Sequence, residues 1–301
     1  MIMKKSTFLS LILTLFLTAN IFATDYYVSA AGSDSNGGTS EATPFATIGM
    51  AITTASSGDT IYIIETIETD QTYNIDKSLN FRGIGASDLG RIKDDVTQTR
   101  TDGFFNVTTT GITVTFQDLV FQERVAKPTS APTLGGVISM EVDSDLNFTF
   151  CLFLGNLASD GGAIYFNVGD VTIDTCGFYS NAANTGGAIN AAGSGTLTIS
   201  NTLFDGNGNV QTGGVGAFDE YTSTTTIPNY GGAIAVYDAT LPIPTTPTVT
   251  TSIATTVFAK NLAKDAGGAL YFGGTGSSTL GNITVYDNTV ADATTTTNGG
   301  G

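Results

Sequence analysis

Apolar and polar residues alternate along most of this chain in short runs that break, skip a beat and resume. Take the phenylalanine column Phe121, Phe153, Phe178, Phe204, Phe258, with Val285 in the last copy, as the reference. Five residues earlier lie Phe116, Phe148, Ile173, Ile199, Ile253 and Leu280; two earlier lie Leu119, Cys151, Cys176, Thr202, Thr256 and Ile283. Side chains switch faces at every residue of a strand, so alternation predicts strands. The skipped beat at pairs such as Asp174-Thr175 and Ser200-Asn201 predicts a tight corner that resets the phase.

The same columns belong to a repeat. FLGNLASDGGAI, from Phe153 to Ile164, returns as FYSNAANTGGAI from Phe178 to Ile189 and as FAKNLAKDAGGAL from Phe258 to Leu270. Weaker copies keep Phe204, Asn207 and a Gly231 to Ile234 box, or Phe121, Ala126 and a Gly135 to Ile138 box. Three residues after the reference stand Asn156, Asn181, Asn207, Asn261 and Asn288, with Arg124 breaking the first copy. The Gly-Gly-Ala-Ile box predicts a third short strand, since paired glycines let backbone bend where a Cβ would clash. Each period is then a three-strand coil, about 25 residues long, that cannot bury its own inner face.

Stacking such coils at roughly 4.8 Å pairs each strand with its copies and aligns like residues. Phenylalanine becomes an interior stack of rings. Asparagine becomes a ladder at a bend, the residue itself taking left-handed backbone and its amide bonding the next one along. Cys151 and Cys176 share one column a coil apart, within bridging reach; its other members make it a small apolar slot, so stacked free thiols are favoured over a disulfide.

Residues 24–64 stand outside the repeat. Tyr26 to Ser29 predicts a strand and Ala31 to Phe45 a turn-rich loop. Pro44 predicts the start of a helix with Phe45, Ile48, Ala51 and Ile52 on one face, and Thr60 to Ile64 predicts a strand. A strand and an amphipathic helix at this point would cap the first coil. Residues 65–301 form the stack, with Thr72 to Gly85 and Phe104 to Phe121 as early irregular coils, and with insertions at Gly208 to Tyr230 and Leu241 to Val249 on its outside.

The run from Tyr26 to Ile63 resembles the amino-terminal cap of secreted right-handed β-helix proteins with the pectin-lyase-like fold. The Phe-x-x-Asn and Gly-Gly-Ala-Ile/Leu boxes are similar to the repeats of the chlamydial polymorphic outer-membrane proteins. Together the likeness covers most of the chain after residue 25. It implies an all-β, right-handed parallel β-helix with a capping strand and short helix, and a surface-displayed passenger with a part in adhesion. That family ends in a membrane-embedded β-barrel, and none is expected within these 301 residues; Gly299 to Gly301 stands where the next box would begin, as if a longer protein were cut mid-coil.

Residues 1–23 read as a secretory signal peptide, with Lys4 and Lys5 ahead of an apolar run from Phe8 to Leu17 and Ala23 before the cut. The expected localisation is secreted or at the outer cell surface, with no membrane span in the mature chain. The chain has 301 residues, no His and no Trp, and a net charge of −16. Nucleic acid is excluded as a partner, because phosphates demand a basic footprint. Surface glycans or proteins of a host or neighbouring cell remain.

Candidate chemistry is sparse. Arg91-Ile92-Lys93 followed by Asp94-Asp95 resembles pieces of the polygalacturonase site, but there the acidic pair comes first, with a histidine between. Between Pro128 and Ala259 there is neither Lys nor Arg. Asp160, Asp174, Asp205, Asp219, Glu220, Asp238 and Asp265 fall at different repeat positions, and no pair is selected for the 5 to 9.5 Å spacing of roughly that range which glycosidases need. Gly213 to Asp219 half resembles a calcium-binding nonapeptide, in a single copy. The sequons at Asn106, Asn147 and Asn282 matter only in a eukaryotic secretory pathway. We therefore assign no catalytic, cofactor-binding or metal-binding residue. The favoured function is a non-enzymatic adhesin-like passenger or extended scaffold; the alternative is a polysaccharide-binding or polysaccharide-cleaving β-helix. The two differ in what one outer strand face carries on adjacent coils: clustered Asp, Lys and Arg for an enzyme, and Thr, Ser and Asn for a scaffold.

Overall fold

The computed structural model describes residues 23–85, 89–95, 102–123, 133–208, 230–237 and 246–290. The secretory-signal reading, apart from Ala23, lies outside them, as do Arg124, the calcium-like run, most of both insertions and residues 291–301. Among the described residues every paired strand is parallel to its neighbour. The one helix among the described residues is Ile48–Thr54.

The strands form three columns. One runs from Asp25–Ser29 through Thr60–Ile64, Leu79–Ile84, Thr113–Gln117 and Ser144–Thr149. It continues through the second halves of Ile164–Asp174 and Ile189–Ser200 to Thr250–Ala254 and Ser278–Gly281. A second column, an eight-stranded sheet, carries the phenylalanines. The third starts at Tyr73–Ile75 and follows the glycine boxes. In two repeats the third-column strand runs on into the first column as one long strand, with a register shift between Phe166 and Val168. That merges two predicted strands into one. The stretches expected to be irregular, Thr72 to Gly85 and Phe104 to Phe121, instead pair in register like the rest: Phe105–Val107 takes the box position without a box.

Core and corners follow from the alternation. Phe153, Phe178 and Phe204 are fully buried, and the rings stack at 4.3 Å (Phe153 on Phe178) and 4.6 Å (Phe178 on Phe204), with their planes nearly parallel. Phe116 and Phe148 form a second stack at 5.2 Å. In the last described repeat these two columns hold Leu280 and Val285, 44% and 37% exposed. Each skipped beat is a single left-handed residue, Asp118, Phe150, Thr175, Asn201, Thr255 or Asn282 (φ 49 to 56°). The first glycine of each box supplies another: at Gly186, φ is 60° and a Cβ would sit 2.0 Å from the Ile189 carbonyl oxygen.

Three expectations need correction. The left-handed residue at the asparagine bend is the one before it, namely Gly155, Ser180, Gly206, Lys260 and Asp287. Asn156, Asn181, Asn207 and Asn261 point inward instead, fully buried, because the corner frees backbone groups that a buried amide can bond. The cysteine slot is not simply apolar. The hydroxyls of Thr202 and Thr256 donate to the carbonyls two residues back at 2.7 and 2.8 Å, and the Cys176 thiol does so at 3.3 Å. Both thiols are free and buried, and burial pushes the Cys151 thiol well up. The helix, lastly, starts at Ile48 rather than after Pro44. Thr47 caps it by accepting from the Met50 amide, and the Asp34 carboxylate accepts from the Ala46 and Thr47 amides, holding that stretch extended.

Candidate functional site

The inward faces are spent on packing, so binding or chemistry must come from the outer faces. On the first column, the outward residues Thr115, Asn147, Thr172, Thr198, Ser252 and Thr279 stand in register. Four of the six, from Thr172 onward, are exposed. They make a hydroxyl and amide ladder with one rung per repeat.

Charge collects on the earlier repeats. Lys93 reaches Glu123 at 3.4 Å and Glu68 at 3.9 Å, Arg82 reaches Asp118 at 3.4 Å, and the Arg91 guanidinium donates to the Gln122 side chain. Arg91, Ile92, Lys93 and Asp94 lie on one strand, Gly90–Asp94, with Ile92 and Asp94 buried. The four residues thus split between two faces. Lys77 donates to the carbonyls of Ile52 and Ala55, closing the carboxyl end of the helix. Among the described residues no three His, Cys, Asp or Glu side chains gather as metal ligands, and no helix is long and apolar enough to cross a membrane.

Of the carboxylates considered above, Asp219, Glu220 and Asp238 lie outside the described residues. Asp160 is buried beside Thr185 in its ladder, Asp174 ends the first-column strand Ile164–Asp174 just before the left-handed corner at Thr175, and Asp205 ends the strand Leu203–Asp205 of the phenylalanine sheet. Asp174 is the best organised. It accepts from the Ser200 hydroxyl at 2.5 Å, the Asn201 amide at 2.8 Å and the Thr175 hydroxyl at 3.1 Å. The Ser200 and Asn201 bonds hold its carboxyl below the usual carboxylate range, against a smaller opposing effect of burial, and Thr175 adds to the lowering. Because folding lowers this pKa, the contribution is present above the unfolded value and lost as pH falls through the folded one. Asp174→Asn is therefore expected to flatten the fall of stability with acidification below about pH 4. Urea midpoints measured across that range check this, and an unchanged slope would refute it.

Beside Asp174 the phenylalanine sheet carries an open groove of about 450 Å³. Its floor is Gly177, which stands in register between Leu152 and Leu203 and leaves a gap in the aliphatic run Val120, Leu152, Leu203 and Val257. The Tyr179 ring leans over that gap: a Cβ on Gly177 would lie 2.6 Å from its edge. The rim is built from the left-handed corner residues Thr175, Asn201 and Thr255. Sequence reasoning missed this groove, because an outward glycine in one copy of a variable column carries no period.

A second feature lies on the glycine-box column. The rings of Tyr230, Tyr237 and Tyr271 cluster at 4.6 to 5.7 Å, and burial pushes the Tyr230 hydroxyl up. Below them Asn190 is fully buried between Tyr165 and Ala235 in register, with neither Oδ1 nor Nδ2 hydrogen-bonded; the Thr185 hydroxyl is likewise unpaired.

Comparison of the chain with protein-family models gives no match, and comparison with curated proteins gives none. Among solved structures, a rhamnogalacturonan lyase matches over 81% of this chain and 75% of its own, at 14% identity and a TM-score of 0.33. A likeness at that level carries no chemistry to this chain.

Proposed function

We propose that this protein is a secreted or surface-displayed right-handed parallel β-helix that acts as a non-enzymatic, adhesin-like passenger or extended scaffold, binding glycans or proteins of a neighbouring cell surface. One observation carries the reading. The outward ladder of the first column is Thr, Asn, Thr, Thr, Ser and Thr rung after rung, the composition of a binding or spacing surface rather than of a reaction centre. Many weak contacts repeated at one spacing add to useful avidity without any single strong site. Incubating the purified protein with plant and microbial polysaccharides is expected to release nothing; unsaturated or reducing products would overturn the reading.

The alternative, a polysaccharide-binding or polysaccharide-cleaving β-helix, draws on the charged patch of Glu68, Arg82, Lys93, Asp118 and Glu123. Those cations are turned onto neighbouring carboxylates, which weakens them as bases or as holders of a polyanion.

A further inference from the structure

We propose that the groove over Gly177 binds a neutral polysaccharide chain and rejects uronic-acid polymers, an inference that rests on the scaffold reading above. A sugar ring has a hydrocarbon face and a hydroxylated edge. The groove offers the matching pair of surfaces: the Tyr179 ring with Leu152 and Leu203 as an apolar plate, and Thr175, Asn201 and Thr255 as a rim of hydroxyls and an amide. The rim groups sit at the same corner of successive repeats, so their spacing is about 4.8 Å, the stacking distance of parallel strands. A polymer lying along the stack meets one donor or acceptor after another.

Charge decides the class of sugar. Among the described residues no lysine or arginine lines the groove. Asp174 bonds two of the rim residues directly, orienting the Asn201 amide and the Thr175 hydroxyl while adding a negative charge. A uronate carboxylate at the rim would face that charge with no cation to offset it. A neutral ring loses nothing there, and its binding is insensitive to salt.

Affinity electrophoresis in native gels containing hydroxyethyl cellulose, laminarin or polygalacturonate tests this. At least one of the two neutral polymers is expected to retard the wild-type protein, and polygalacturonate is not. Tyr179→Ala should weaken the retardation about three- to tenfold, the worth of one stacked ring. Gly177→Ala should do the same by pushing the ring off the floor, and Asp174→Asn should let polygalacturonate bind. Melting curves of each variant separate lost binding from lost folding. The proposal fails if neither neutral polymer retards the protein, if folded Tyr179→Ala and Gly177→Ala migrate as wild type, or if sedimentation shows the face occupied by a second copy. Sugar products released from any polymer would instead sink the scaffold reading.

Discussion

Asn181→Ala is expected to cost about 4 kcal/mol of stability, at roughly 1 to 3 kcal/mol for each buried group left without a partner. The Asn181 side-chain oxygen accepts from the backbone amide of Asn156 at 3.1 Å and from its side-chain amide at 2.9 Å. Its own amide donates to Asn207 at 3.0 Å and to the Phe153 carbonyl at 3.0 Å. Truncation strands two donors on Asn156, shut off from water, and takes one bond from the Phe153 carbonyl. The control is another asparagine. Asn190 is equally buried, yet neither of its polar atoms is paired, so Asn190→Ala should leave the urea midpoint unchanged or raise it. Equal losses at both sites would show that volume, not the amide ladder, holds the stack.

That contrast also marks what the sequence could and could not convey. The ladder was legible because Asn recurs three residues after Phe in four copies and after Val285 in a fifth, and a period that persists through insertions of different length has to be a structural register. Which residue bends the chain was not legible. Gly155, Ser180, Gly206, Lys260 and Asp287 share no chemistry, because the buried amide beside them removes the main objection to the corner and leaves the left-handed position open to many side chains. The two uninterrupted strands Ile164–Asp174 and Ile189–Ser200 escaped for a related reason. Gly169 and Gly195, at φ 105° and 122°, let the chain pass from the third column to the first without leaving extended pairing, where glycine would ordinarily predict a break.

The site was harder still. A ladder position is defined by its repetition, whereas the groove exists because one outward position, Gly177, departs from its neighbours Leu152 and Leu203. Periodicity treats such a departure as noise. Asp174 was visible as a corner residue, but its grip on Thr175 and on Asn201 of the next repeat depends on stacking distance, which enters only once the register is known. Asn190 lies next to the inward Ile189, on the opposite face by alternation, and yet it is completely buried.

Phenylalanine supplies a second test of register against residue type. Phe178 is fully buried between two parallel rings at 4.3 and 4.6 Å. Phe178→Ala is expected to cost about 4 kcal/mol from lost burial and the cavity left behind, with roughly another 1 kcal/mol from broken stacking. Phe150 lies three residues before the same column, at the corner, 50% exposed and at φ 54°. Left-handed backbone costs an ordinary side chain about 1 to 2 kcal/mol, and asparagine relieves part of that through local hydrogen bonds. Asn201 and Asn282 already fill the equivalent corners. Phe150→Asn should therefore stabilise the protein by up to about 1 kcal/mol, even though it removes a large apolar side chain. Urea midpoints of the two variants should move in opposite directions. If both fall together, the phenylalanines contribute through hydrophobicity alone, and the phase-reset corner that aligns the repeats has been misplaced.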